Sequence, residues 1–396
     1  MDPRDLYRNP NALAPHYAGF RVAERLLLTG HSHQAWPDCC REAQTQAWLD
    51  AAAHVDDKWS LAFAKADEVR AGFARLLDDK DGEIALGSNT HELMTRFFSA
   101  LPLGKRPKII TTDGEFHSLR RQLDRLAEES VEVVKVPSRP AQSVAERMAV
   151  LVDDRTAAVA LSHVFFDSGR IVGDLSPLVA ACGRHGAEIL VDAYHALNVI
   201  PFSVKSLGLQ DAFVVGGGYK YCQLGEGNCF LRFPAACRLR PVITGWFAEF
   251  DQIGTAPGDR RVPYGRGHHR FAGSTYDPVS HYRAAAVFDF FRKQRLTPAF
   301  LREVSQHRVG LLARTFDELD LPPEVVTRDR TVPLEQLGGF LVLESERASD
   351  LCSRLKELDV HTDSRGNSLR FGPAPYLSDD QLVDAMTRLG SAVGSL

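Results

Sequence analysis

The sequence lacks any apolar run long enough to cross a bilayer, and Met1-Asp2-Pro3-Arg4-Asp5-Leu6-Tyr7 has no basic end followed by an apolar stretch. Neither a membrane segment nor a secretory signal is expected, and a cytoplasmic location is predicted. Surplus positive charge is missing too. Lys and Arg number 47 against 51 Asp and Glu, a net charge of −4, which leaves no excess to neutralise a nucleic-acid backbone or an anionic membrane surface. Nucleic acid and membrane are therefore not expected partners, and a small molecule is. Paired CxxC spacing is also absent among Cys39, Cys40, Cys182, Cys222, Cys229, Cys237 and Cys352. Reduced thiols are predicted in place of a disulfide frame or a zinc site. The pairs His31/His33 and His268/His269 have no third ligand at diagnostic spacing, so no metal is expected.

What is present is ordinary globular material, 44% hydrophobic and 25% charged over 396 residues, enough for a large α/β domain with an appendage. Short runs rich in Val, Ile and Ala at 108–112, 131–136, 157–161, 188–192, 212–216 and 229–232 predict strands buried on both faces of a mainly parallel sheet. Apolar residues at three-to-four spacing over 115–128, 142–151 and 175–185 predict crossover helices between them. A helix is also expected at 42–53. After a Gly- and Arg-rich loop region around 254–273, helices are expected at 280–292 and 298–318. Strand 339–344, helix 348–358, strand 368–371 and helix 378–389 then suit a small α+β domain. The expected division is an N-terminal arm over 1–50, a large α/β domain over 51–285 and a small domain over 286–396.

The chemistry is concentrated between Asp192 and Lys220. Strand 188–192 ends in the carboxylate of Asp192, and a second apolar strand runs into Gly216-Gly217-Gly218-Tyr219-Lys220. Ligands collect at such strand ends in open α/β sheets. An amine and a carboxylate offered to one crevice suit pyridoxal 5′-phosphate (PLP), which needs a lysine for its aldehyde and an acid to keep its ring nitrogen protonated. Asp192 would hold the nitrogen and Lys220 would form the Schiff base, with the glycines allowing close backbone approach. Gly87-Ser88-Asn89-Thr90 precedes a helical stretch at 91–100, where hydroxyls and N–H groups can receive a phosphate or simply cap the helix. Phe116, in Gly114-Glu115-Phe116-His117-Ser118, follows a strand and can stack on a flat cofactor or fill core.

Val191-Asp192-Ala193-Tyr194-His195-Ala196 and Gly218-Tyr219-Lys220-Tyr221 resemble the fold type I PLP enzymes of the aminotransferase class V superfamily, and among them the kynureninases. Leu28-Thr29-Gly30-His31-Ser32 and Gly245-Trp246-Phe247 resemble further segments of that family, with His33-Gln34 and Ala248-Glu249 as departures. The resemblance implies that Asn89 and Thr90 bind phosphate, Phe116 stacks on the ring, and His195 lies beside the phenolic oxygen. It also implies that Tyr219 touches the phosphate and relays a proton. Ser274 and Thr275 look like a loop lent across a homodimer interface, and Arg370 like the arginine that clamps the substrate carboxylate. His31 and His33 are expected to line the substrate pocket, with Trp246 adding an aromatic wall. Asp363-Ser364-Arg365-Gly366-Asn367-Ser368 carries no cysteine, which argues against desulfuration through a protein persulfide.

The expected reaction is hydrolysis of the Cβ–Cγ bond of L-kynurenine or a related β-acyl amino acid. Transamination, epimerisation or β-elimination on another amino acid is the first alternative. A catalytically silent scaffold is the second.

Overall fold

The computed structural model describes residues 1–252 and 262–395. A short strand, β1 (Leu26–Leu27), precedes two helices, α1 (Cys39–His54) and α2 (Lys58–Leu76). Strands and helices then alternate: β2 (Gly82–Gly87), α3 (Thr90–Ser99), β3 (Lys108–Thr112), α4 (His117–Ala127), β4 (Glu132–Val136), α5 (Val144–Ala149), β5 (Thr156–Ser162), α6 (Ser176–His185) and β6 (Glu188–Asp192). Strands β7 (Phe213–Gly217) and β8 (Cys229–Pro234) complete a seven-stranded sheet of order β2-β8-β7-β6-β5-β3-β4. Strands β4, β3, β5, β6 and β7 pair in parallel, and β8 runs antiparallel to both β7 and β2. The mainly parallel α/β sheet read from the apolar runs is thus the architecture found.

Local chemistry explains the elements. Every residue of β5, Thr-Ala-Ala-Val-Ala-Leu-Ser, is buried, as a central parallel strand covered on both faces requires. Helix α4 buries Leu119 and Leu123 and turns its charged residues outward. Helix α6 stops at Gly186, whose φ of +60° is the left-handed C-cap that glycine adopts without strain.

The remainder runs α7 (Val279–Gln294), α8 (Pro298–Glu318), β9 (Leu341–Glu344), α9 (Ala348–Glu357), β10 (Val360–His361), β11 (Asp363–Arg365), β12 (Ser368–Phe371) and α10 (Asp379–Gly394). Strands β11, β12 and β9 form an antiparallel sheet, while β10 pairs in parallel with β1. Thr297 caps α8 with Pro298 in its first turn, and Ser378 with Gln381 forms a capping box on α10. Buried Arg308 of α8 donates to the carbonyls of Leu6, Ala374, Pro375 and Leu377. One guanidinium therefore ties the N-terminal segment to the turn that follows β12.

Helix α2, strand β2 and the two-residue strands were not among the expected elements. The buried face of α2 includes Ala62, Ala66 and Gly72, too small to give a strong apolar period, and Gly72 lies against the Phe288 ring. Strand β2 is bracketed by glycines. The part of the Gly- and Arg-rich loop at 254–261 lies outside the described residues. Among the described residues no helix is long and apolar enough to cross a membrane.

Candidate active site

Strands β6 and β7 are parallel neighbours, and their C-terminal ends carry Asp192-Ala193-Tyr194-His195 and Gly218-Tyr219-Lys220. Lys220 Nζ lies 2.6 Å from His195 Nε2, both side chains being buried. The amine sits 4.8 Å from the Tyr194 ring centroid, 5.3 Å from that of Phe116 and 5.8 Å from that of Tyr219. Burial pushes the Lys220 amine down to about 7, opposed by the attraction of Asp192. The same burial raises the Asp192 carboxyl, against the Tyr194 backbone N–H that donates to its Oδ1 at 2.8 Å and against Lys220. His195 is held well below the ordinary histidine value, first by burial and then by Lys220. Its Nδ1 has no hydrogen-bond partner among the described residues.

The glycines ahead of Lys220 answer to packing within the chain. A Cβ on Gly217 would stand 2.5 Å from both Cys229 Sγ and Tyr194 Oη, and one on Gly218 would meet Leu224. The close approach they permit is therefore to the chain's own side chains.

Several expected residues lie elsewhere or are already engaged. Asn89 caps α3, accepting from the Glu92 N–H at 2.9 Å and donating to its carboxylate, which is the capping alternative noted for this segment. Thr90 is buried, and its backbone N–H faces the Cys229 thiol. Ser88, Ser274 and Thr275 line one cavity of about 1000 Å³ together with Arg96. Lys220, Asp192 and His195 are not on its wall, so Ser274 and Thr275 do not join the lysine within this chain. Trp246 is 45% exposed and donates from Nε1 to Thr275 Oγ1 at 3.3 Å. Within this chain the ring rests on the loop that follows Gly273. His33 stacks on Tyr219 with centroids 4.8 Å apart, its Nε2 3.7 Å from Glu226 Oε1. Among the described residues no group of three His, Cys, Asp or Glu side chains is arranged to hold a metal ion.

Arg370 is buried, and three of its five N–H donors are engaged within the chain. It is paired with Asp363 and with the Phe166 carbonyl, and Asp363 also bonds His31 Nε2 at 2.7 Å. The Phe340 ring joins these groups to the lysine, its centroid lying 4.8 Å from that of His31, 5.8 Å from that of His195 and 5.9 Å from the Arg370 guanidinium. Asp363, Tyr194 and Phe340 were not picked out from the sequence. A signal for Asp363 existed: it and Arg370 are placed symmetrically about the Gly366-Asn367 turn, where cross-strand partners stand. Glu115 was likewise unassigned. It is buried, bonded to Thr112 and Ser162, and pushed up to about 7 by burial.

A buried lysine whose amine burial pushes down to about 7, with a buried carboxylate at the neighbouring strand end of a mainly parallel sheet, defines a PLP-dependent enzyme of fold type I. Residues 47–242, which include both groups, match the family described as aminotransferase class-V. Over those residues the chain is similar to the class V aminotransferases, a superfamily of PLP-dependent enzymes. An uncharacterized aminotransferase, YcbU, of Bacillus subtilis (strain 168) is 23% identical over 93% of this chain and 96% of its own length. A kynureninase of Geobacillus thermodenitrificans (strain NG80-2) is 28% identical over 81% of this chain and 76% of its own. Among solved structures, the cystine C-S lyase C-DES in complex with cysteine persulfide superposes with a TM-score of 0.81 at 16% identity. The match covers 94% of this chain and 99% of that one.

Proposed function

We propose that the chain hydrolyses the Cβ–Cγ bond of L-kynurenine or a related β-acyl amino acid, giving alanine and an aromatic acid. Support comes from the buried amine of Lys220, down at about 7 and in contact with His195, together with the similarity to kynureninase over 81% of the chain. The residues present suit PLP. Asp192 would hold the ring nitrogen, Lys220 the aldehyde carbon and Phe116 a ring face, and the unpartnered Nδ1 of buried His195 leaves that imidazole with bonding capacity to spare. The bound cofactor supplies an electron sink that weakens bonds at the substrate's Cα.

The chain's own groups supply the rest. Lys220, losing its proton near neutral pH, can take the proton from Cα and return it. The Tyr219 hydroxyl is pushed up to about 12, first by burial and then by Cys229, so it keeps a proton to donate. Arg370 would receive the substrate's acid group. Water adds to the γ-carbonyl, and the Cβ–Cγ bond breaks with its electron pair going to Cβ, where a proton completes alanine.

Incubation of L-kynurenine with the PLP-loaded enzyme is expected to yield anthranilate and alanine in equal amounts. Absence of both removes this substrate. Similarity to YcbU along 93% of the chain favours amino transfer as the second reading. Keto-acid-dependent conversion without C–C cleavage would select it.

A further inference from the structure

Asp363 and Arg370 face each other in register across the β11–β12 hairpin. Arg370 donates from Nε to Asp363 Oδ1 at 2.9 Å, from Nη2 to Asp363 Oδ2 at 2.5 Å, and from Nη1 to the Phe166 carbonyl at 2.6 Å. A guanidinium carries five N–H donors. One N–H on Nη1 and one on Nη2 therefore remain without an acceptor among the described residues, and the one on Nη2, whose other N–H grips Asp363 side-on with Nε, lies on the end-on edge of the fork. As it stands the corner is electrically neutral, because Asp363 cancels Arg370. A substrate carboxylate docking on the end-on edge becomes a second acid on one guanidinium. In a buried setting two like charges at such a distance are unfavourable unless a proton is added.

The structure places a proton acceptor where it is needed. His31 is fully buried, its Nε2 is 2.7 Å from Asp363 Oδ1, and its Nδ1 has no partner among the described residues. The other charged or titratable groups facing His31 are Arg370, Lys220 and His195. Those facing Asp363 are Arg365, with Nη2 3.8 Å from Oδ2 and half its side chain exposed, Cys352 and Lys220. Burial holds empty-site His31 down at about 4, so at neutral pH it arrives without a proton and has one to gain.

We propose that Asp363 is a positioning residue for the substrate's acid group. It grips the Nε–Nη2 edge of Arg370 and leaves the Nη1–Nη2 edge to the substrate, and carboxylate docking draws one proton from solvent onto the His31–Asp363 pair. This rests on reading Arg370 as the residue that meets the substrate acid. It adds that the acid is bound as a carboxylate plus a proton, so that affinity is pH-dependent through residues that do not touch the reacting atoms.

Propionate, an acid without an amine, tests this on the holoenzyme. Titration calorimetry in two buffers of different ionisation enthalpy at about pH 7 is expected to show close to one proton taken up per site. The propionate Kd is expected to rise by about tenfold per pH unit between about pH 6 and 8. Asp363→Asn and His31→Gln should each make the Kd independent of pH and abolish the uptake, and Arg370→Leu should remove binding. Uptake that persists in His31→Gln, a flat Kd in the unaltered enzyme, or no propionate binding at about pH 6 overturns the inference. Failure of the PLP reading shows separately, as a protein that acquires no visible cofactor absorbance.

Discussion

Lys220 Nζ and His195 Nε2 share a 2.6 Å contact inside the protein, with neither side chain more than 6% exposed. Two bases in such contact cannot both carry charge, and burial decides the matter by lowering both. The amine is consequently available as a nucleophile near neutral pH. Covalent loading of the apoprotein with PLP is expected to accelerate as pH rises through about 7 and then level off, followed by visible absorbance after mixing. A rate still climbing about tenfold per unit beyond pH 9 would show an ordinary exposed lysine.

The packing at Gly217 yields a second expectation. A methyl group there collides with Tyr194 and Cys229, and overpacking of this kind costs about 1–3 kcal/mol. Because the Tyr194 ring lies 4.8 Å from Lys220 Nζ, Gly217→Ala should weaken PLP retention by about tenfold or more. The protein should remain folded by circular dichroism. Unchanged cofactor affinity would mean that Tyr194 does not shape the lysine's surroundings.

Glu115 makes a pH-dependent contribution with a definite sign. Its carboxyl is raised by burial from 4.5 to about 7. The folded state therefore binds more proton than the unfolded state across that interval. The stabilisation is complete below 4.5 and is lost as pH rises through about 7. Glu115→Gln should remove this slope, so that denaturant midpoints of the two proteins diverge in the variant's favour as pH increases from about 5 to 8. Parallel curves would contradict the assignment.

Removal of the Arg308 guanidinium takes a charged donor from four buried carbonyls, those of Leu6, Ala374, Pro375 and Leu377, leaving them the Asn11 amide and the Leu377 N–H. Arg308→Met is expected to destabilise the protein by about 1.5–3 kcal/mol, lowering Tm by a few degrees. The N-terminal segment should become protease-sensitive first. A Tm within a degree of the original would show that water or other donors replace the arginine.

How far the sequence revealed this arrangement depended on whether the determining contacts were local. A buried parallel strand reads as an unbroken apolar run, so β5, β6 and β7 and the residues at their ends, Asp192 and Lys220, were legible. Asn89 was ambiguous for a physical reason, since a side chain suited to phosphate is equally suited to capping, and capping is what it does here. The Asp363–Arg370 pair was not read because it depends on hairpin register, although the flanking acid and base about Gly366-Asn367 hinted at it. Helix α2 escaped because the residues packing against α7 are as small as Gly72, where a helix gains contact by omitting side chain. Ser274, Thr275 and Trp246 were assigned by resemblance alone, and within one chain Ser274 and Thr275 border a cavity whose wall does not include Lys220.

Lys220 is the residue through which the chain would carry its cofactor. Borohydride reduction of the PLP-loaded protein, followed by digestion and mass spectrometry, should place the added pyridoxyl mass on the peptide containing Gly218-Tyr219-Lys220-Tyr221, and Lys220→Ala should leave no peptide labelled. Label on another lysine, or no label in a protein that still turns over an amino acid, would contradict it.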